Sequence, residues 1–317
     1  MFRHLCLADV SSTALIIISS AINYRPFKRL RSDPEKLPPS HALHKLWKLR
    51  HSSTDSFIAQ HKSEDIHASS TYWVMKLHDE INELLDLGKS SGVSGVLIRE
   101  EYVQALRAVI EFAEEGTFVF PTDDEEEGSE QNAAQVHDTY FENPFSKLSA
   151  KSLSLMGGFI LTGHPGIGEY HNVSSKIETP SLLFTGKTVW LLVVLILRLQ
   201  AGLPSIYQSE VDHMHVFNDE GVFKFNCGPR GNPDWTELER YVPPTAWALI
   251  DSNQNLITVP MCYQNRLFVV QASSPRRDRF AWQDKANRTV LSYGMKPWLI
   301  SELILGYVVY VRHFYKF

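Results

Sequence analysis

Gly163-His164-Pro165-Gly166-Ile167-Gly168 follows directly on Gly158-Phe159-Ile160-Leu161-Thr162, an apolar run of the buried-strand type. A glycine-rich turn leaving such a strand brings backbone N–H groups close to phosphate oxygens, so the chemistry on offer is nucleotide binding. The dinucleotide fingerprint G-x-G-x-x-G does not fit, because these glycines fall as G-x-x-G-x-G. The phosphate-binding loop G-x-x-x-x-G-K-[ST] fits through Gly163 to Gly168, then meets Glu169 and Tyr170 where lysine and a hydroxyl residue belong. The missing pair stands further on as Lys187-Thr188, after Gly186 and ahead of the apolar stretch Val189 to Leu197. Without the 18 residues from Glu169 to Gly186, the chain reads Gly-His-Pro-Gly-Ile-Gly-Lys-Thr-Val-Trp-Leu-Leu, a complete Walker A loop opening a helix.

The interruption reads as translated intron. Codons for Gly168-Glu169-Tyr170 can spell a splice donor, and those for Phe184-Thr185-Gly186 a pyrimidine-rich acceptor. Gly306-Tyr307-Val308 can encode a second donor shortly before the last residue, which makes 307–317 an aberrant tail. The alternative is a genuine surface insertion, and structureless loops of that length are uncommon in compact domains.

In a working loop the backbone of Gly163, His164, Pro165, Gly166, Ile167 and Gly168 cradles the phosphates. Lys187 bridges the β- and γ-oxygens, and the Thr188 hydroxyl ligates Mg²⁺. All of these must converge within a few ångströms. As written, the helix is tethered through 18 further residues, and Glu169 brings negative charge toward a polyanion. A like-charge contact at about 4 Å costs several kcal/mol even at an effective dielectric near 20. The chain as it stands is therefore expected to bind ATP poorly or not at all.

A second acidic site is needed for the metal. Trp247-Ala248-Leu249-Ile250-Asp251 is a buried strand ending in an acid, which makes Asp251 the Walker B candidate. Ser252 follows it, where a glutamate often polarises the attacking water, so binding is better supported than hydrolysis. Leu267 to Gln271 is a further strand, and Ala272-Ser273-Ser274-Pro275-Arg276-Arg277-Asp278-Arg279 places hydroxyls and arginines at its carboxyl end. Arg276 or Arg277 is the candidate to contact the γ-phosphate or nucleic acid, and Arg276 is taken as the catalytic one. Asp212-His213-Met214-His215 sets two histidines on one strand face without an evident third metal ligand.

The elements that must position these groups are legible in outline. Trp73, Leu77, Ile81, Leu84 and Leu85 recur at helical spacing up to Gly88. Tyr102, Leu106, Val109, Ile110 and Ala113 do so between Arg99 and Gly116, which predicts a helical pair over 71–120. Residues 1–70, punctuated by Pro26, Pro34, Pro38 and Pro39, are expected to be largely disordered. Five consecutive acids, Asp123 to Glu127, mark 121–142 as a solvated linker.

Composition excludes broad classes rather than naming a function. With 317 residues, 44% hydrophobic and 21% charged, the chain is globular. A net charge of −5 argues against a global nucleic-acid-binding field. Cys6, Cys227 and Cys262 form no disulfide framework or zinc pattern. An intracellular protein, in cytoplasm or nucleus, is expected rather than a secreted one. Val189 to Leu197 is far short of the roughly 20 apolar residues that span a bilayer, so it reads as a buried helix.

These pieces taken in order resemble a family, the fungal Crinkler-like proteins related to the retrotransposon-hot-spot P-loop NTPases. The likeness rests on Leu161 to Gly168, on Lys187-Thr188 with its helix, and on Gln200-Ala201-Gly202-Leu203-Pro204-Ser205-Ile206-Tyr207-Gln208. It continues through Trp247 to Ser252, Ala272 to Arg277, Met295-Lys296-Pro297-Trp298 and Ser301-Glu302-Leu303. The resemblance covers 143–306 and implies an ATPase module using ATP and Mg²⁺. Its relatives often carry a nuclease-like domain and are proposed to act on nucleic acid. No such domain or ubiquitin-like header is legible here, so those activities are not carried over.

The expected architecture is α/β: a three-layer P-loop NTPase domain over 143–306 with a mostly parallel sheet, interrupted at 169–186 and preceded by a helical, partly disordered region. The expected function is an ATP-binding NTPase impaired by its insertion. The alternative is a non-catalytic interaction protein, a degenerate NTPase associated with nucleic acid or an unidentified protein partner.

Overall fold

Period-two burial builds the central sheet. Phe159 and Leu161 point to one face and Ile160 to the other; Trp247 and Leu249 oppose Ala248 and Ile250; Phe268 and Val270 oppose Val269. Strands apolar on both sides must be covered on both sides, and this is the pattern of an interior parallel sheet. The computed structural model describes residues 33–48, 50, 58–62, 71–76, 95–116, 141–147, 157–163, 186–286, 288–297, 299 and 302. All but Asp33 belong to one compact unit, 34–317.

Within it the chain forms β1 (Glu35–Lys36), α1 (Ala42–Lys48), β2 (Ile58–Lys62), β3 (Thr71–Lys76), β4 (Gly95–Ile98) and α2 (Glu100–Glu115). There follow β5 (Gly158–Gly163), α3 (Lys187–Gln200), β6 (Ser205–Gln208), β7 (His213–Asn218) and β8 (Gly221–Asn226). β9 (Trp247–Asp251), β10 (Phe268–Ala272) and β11 (Val290–Met295) complete the set. β2, β3 and β4 make a small antiparallel sheet. The other strands form an eight-stranded mixed sheet in the order β1-β8-β7-β6-β9-β10-β5-β11. β6, β9, β10, β5 and β11 run parallel, whereas β7, β8 and β1 add an antiparallel margin. The α/β class is as expected.

Two features differ from the sequence reading. Thr71–Lys76 is a strand, although spacing predicted that a helix begins there. Its run of Thr, Tyr, Trp and Val favours a pleated surface, and two neighbouring strands supply the partners that local periodicity cannot reveal. Leu77, Ile81, Leu84, Leu85 and Gly88 lie outside the described residues, as does the acidic run 123–127. The second helix is α2 as expected, closed by Gly116 at φ 72°, whose N–H donates to the Phe112 carbonyl. Before residue 70, where disorder was expected, β1, α1 and β2 are formed, and Leu37, Leu43, Leu46 and Ile58 are buried. Proline punctuation masked these short apolar contributions. Residues 1–32 lie outside the described residues.

α3 carries the region's largest apolar surface, with every residue from Val189 to Gln200 buried. It packs on β5, β6, β9 and β10 and shares its core with α1, α2 and Phe145. The opposite face is covered by short helical turns and loops around Leu238, Tyr263 and Trp282. Arg198 fixes the far end of α3: its Nε donates to Ser205 Oγ at 3.1 Å, its Nη2 donates to the Pro204 carbonyl at 2.8 Å, and its guanidinium lies 4.2 Å from the Trp247 ring centroid. Gly157, at the entry to β5, has no room for a side chain, because a Cβ there would sit 1.6 Å from the Thr289 carbonyl oxygen. Among the described residues, no helix is long and apolar enough to cross a membrane.

Candidate functional site at the carboxyl edge of the sheet

Because five strands are parallel, their carboxyl ends share one edge: Gly163, Gln208, Asp251, Ala272 and Met295. The chain leaves β5 through α3 to β6, steps back through β9 and β10, and crosses to β11 on the other flank of β5. Connections thus diverge around β5, and in open α/β sheets the crevice at such a point, outside the carboxyl ends, is where ligands bind.

α3 begins at this edge, and its first two residues bring the candidate groups together. A Cβ added to Gly163 would lie 3.8 Å from both Cδ and Nζ of Lys187, so the lysine runs back over the end of β5. Thr188 Oγ1 donates to Asp251 Oδ1 at 3.2 Å, joining the helix start to β9 across the intervening β10. Burial pushes the Asp251 carboxyl up to about 6; the Thr188 hydrogen bond and the charges of Lys187 and Arg279 oppose that rise, and Glu210 adds to it. The N-cap is Gly186, which offers no side-chain cap, and the first turn holds no acid. The helix therefore opens with backbone donors that its own cap side chain does not satisfy.

The sequence placed Lys187, Thr188, Asp251 and Gly163 in one site, and the fold brings them together. His164, Pro165, Gly166, Ile167 and Gly168 lie outside the described residues. Arg276 is not gathered in: its side chain is 63% exposed and Nη2 pairs with Asp278 Oδ2 at 2.8 Å. Arg277 is exposed as well. The inward arginine of this segment is Arg279, which is buried, donates from Nη1 to the Ser252 carbonyl at 3.0 Å and is felt electrostatically by Asp251. Helical spacing decides between them, since Arg276 sits at the N-cap of the turn Arg277–Phe280 whereas Arg279 lies on its buried side.

Behind Asp251 lies a closed polar network. Gln271, fully buried on β10, donates through Nε2 to Ser252 Oγ at 2.6 Å and to the Arg279 carbonyl at 3.1 Å; its Oε1 accepts from Trp282 Nε1 at 2.6 Å. An apolar run ending in glutamine gave no hint of this role. Ser273 Oγ donates to the Ser274 carbonyl at 3.1 Å, while the Ser274 hydroxyl is buried at the same strand end without a hydrogen-bond partner among the described residues.

Sequence reasoning also missed Tyr102. Its hydroxyl donates to the Gly186 carbonyl at 3.2 Å, and its own carbonyl accepts from Trp190 Nε1 at 3.1 Å. The Gly186 carbonyl also accepts the first helical bond, from the Trp190 N–H. Fixing that oxygen fixes the plane of the Gly186–Lys187 peptide, and so the direction of the Lys187 N–H. Tyr102→Phe is expected to cost about 1 kcal/mol of stability, the net value of one such bond, as read from urea denaturation midpoints. A loss below about 0.3 kcal/mol would show that the hydroxyl holds nothing in place.

The histidine pair lies on β7, whose register sets His215 opposite Tyr207 near the end of β6, two strands from β9. His213 and His215 rings are 5.2 Å apart on β7, and His213 Nδ1 contacts Asp212 Oδ1 at 2.6 Å. Burial, with His213 and Lys224 close by, pushes His215 down to about 3. Among the described residues, no three His, Cys, Asp or Glu side chains could hold a metal ion together. No protein-family model, characterised protein or solved structure matches the chain.

Proposed function

We propose that the chain is a P-loop NTPase-like protein of the Crinkler-like type whose ligand is magnesium ATP, held at the carboxyl edge of β5, β9 and β10. One observation carries the reading: Thr188 and Asp251, 63 residues apart, meet at 3.2 Å while Lys187 lies against Gly163. That is the set of groups a triphosphate and a hard cation require, a lysine at the loop strand and paired hydroxyl and carboxylate oxygens beside it. The donor set fits Mg²⁺ by its chemistry, and a cation would relieve the burial that holds Asp251 protonated up to about 6. When bound, Mg²⁺ supplies charge neutralisation at the phosphates. In this reading, Lys187 binds the β- and γ-oxygens, the turn from Gly163 to Gly168 wraps the phosphates, and Arg279 on the Ser252 carbonyl with Gln271 on its hydroxyl steadies the chain beyond Asp251.

The segment Glu169 to Gly186 favours a second reading, a degenerate NTPase acting as an interaction protein, because it separates the loop from its lysine. Titration of Mg-ATP into the full chain and into a form lacking 169–186 separates the two. The nucleotide reading expects the shortened form to bind at least tenfold more tightly and Lys187→Ala to abolish that gain. No measurable affinity in either form, and no effect of Lys187→Ala, would leave the interaction protein standing.

A further inference from the structure

The position after Asp251 cannot activate water, since Ser252 is buried and its hydroxyl is held by Gln271. Hydrolysis at this edge needs a water-orienting group from elsewhere, and a carboxylate can also take the proton. Glu101 accepts from the Lys296 N–H, Glu302 pairs with Arg99, and Asp278 pairs with Arg276. Glu210 differs from these acids in place, and it is exposed. It lies just past β6, the direct parallel neighbour of β9, in the turn leading to β7. The β6–β9 register matches Gln208 to Ile250, so the two strands reach the edge in step, one strand spacing of about 5 Å apart.

Both exits are fastened. Asn253 Nδ2 donates to the Ser209 carbonyl at 2.5 Å, tying the end of β9 to the end of β6, and Gln208 Nε2 donates to the Glu210 carbonyl at 3.1 Å. Gln208 is itself fully buried, with Oε1 accepting from the Tyr263 hydroxyl at 3.0 Å. The Glu210 backbone is thus anchored through the core while its side chain is exposed at the edge. Its charge acts on both Asp251 and Tyr207, two groups on different strands of the parallel sheet.

We propose that Glu210 is the carboxylate that orients the attacking water and takes its proton, an inference that rests on the nucleotide reading above. As the water oxygen bonds to the γ-phosphorus, one water proton passes to the Glu210 carboxylate. The bond from phosphorus to the β,γ-bridging oxygen breaks, and its electron pair leaves with ADP. The proton is then released to solvent, so atoms and charge balance without a further reactant.

The test measures phosphate release from Mg-ATP, and separately the affinity for a non-hydrolysable Mg-ATP analogue, in the full chain and in the form lacking 169–186. Glu210→Gln is expected to lower turnover by about 100-fold while changing analogue affinity less than threefold. The side chain is exposed, and an unchanged melting temperature checks that the variant folds as the parent does. Glu210→Gln with turnover within threefold of the parent overturns the proposal. Parent proteins that bind the analogue yet release no phosphate also overturn it and leave the nucleotide site standing. Failure to bind the analogue in either form overturns the site, and Glu210's role with it.

Discussion

Asp251→Asn will stabilise the nucleotide-free protein at neutral pH by roughly 2 to 3 kcal/mol, a pKa unit being worth about 1.4 kcal/mol. The carboxyl has an ordinary value of 3.8 and burial lifts it to about 6. Between those values the folded state keeps a proton that the unfolded chain has released, so stability falls as pH rises through that window. Below it both states are protonated, and the aspartate costs nothing relative to asparagine. Above it the full cost of the buried charge is present. Asparagine is near-isosteric, keeps an acceptor for Thr188 Oγ1 and carries no charge. Urea denaturation of both proteins at about pH 3 and about pH 7 is the check: the advantage of asparagine should be near zero at the lower pH and complete at the higher. Equal midpoints at pH 7 would show that the buried carboxylate is not strained. The same substitution should remove the Mg²⁺ dependence of nucleotide binding, so a residue costly to the fold is also one the proposed activity needs.

Trp190→Ala is expected to cost about 3–5 kcal/mol, the usual loss for removing a large aromatic from a core. Trp190 is fully buried on α3, stacks on Phe159 of β5 at 5.9 Å between centroids and donates to the Tyr102 carbonyl on α2. Truncation therefore opens a cavity between three elements and removes the indole's hydrogen bond to the Tyr102 carbonyl. Against a typical domain stability of about 5–15 kcal/mol, the remaining margin is small. Trp190→Phe keeps most of the packing and loses the hydrogen bond, so it should cost about 1–2 kcal/mol. A loss under about 1 kcal/mol for the alanine variant would mean that α2 and α3 do not pack through this ring. If the tryptophan also steadies the helix start through Tyr102, nucleotide affinity should fall in the alanine variant more than in the phenylalanine one.

The groups at the site were legible to different degrees. Gly163, Lys187, Thr188 and Asp251 could be named because each belongs to a local pattern, a strand running into glycine, a Lys-Thr pair opening a helix, or an acid closing a buried strand. A linear string of arginines does not say which one a short helical turn will face inward; the structure pairs Arg276 with Asp278 in solvent and buries Arg279. Tyr102, Gln271 and Gln208 carried no signal, since a tyrosine on an amphipathic helix and a glutamine ending a strand look like packing and surface residues. Their roles depend on which chain segment lies opposite. The strand Thr71–Lys76 was misread as a helix for the same reason, as its partners are supplied by Ile58–Lys62 and Gly95–Ile98.

The sequence by itself determined the α/β class, the buried helix behind Lys187-Thr188, the strand ending in Asp251 and the separation of the glycine turn from its lysine. Each is a matter of periodicity, turn chemistry or adjacency along the chain, and such signals act over a few residues. Only the tertiary structure decided the strand order that sets β10 between β5 and β9, and with it the meeting of Thr188 with Asp251. It also decided that Arg279 faces inward, that Tyr102 braces the helix start and that Glu210 stands one strand from the acid. Those facts depend on which strands become neighbours, a choice made by burying both sheet faces at once, and no local pattern along the chain contains it.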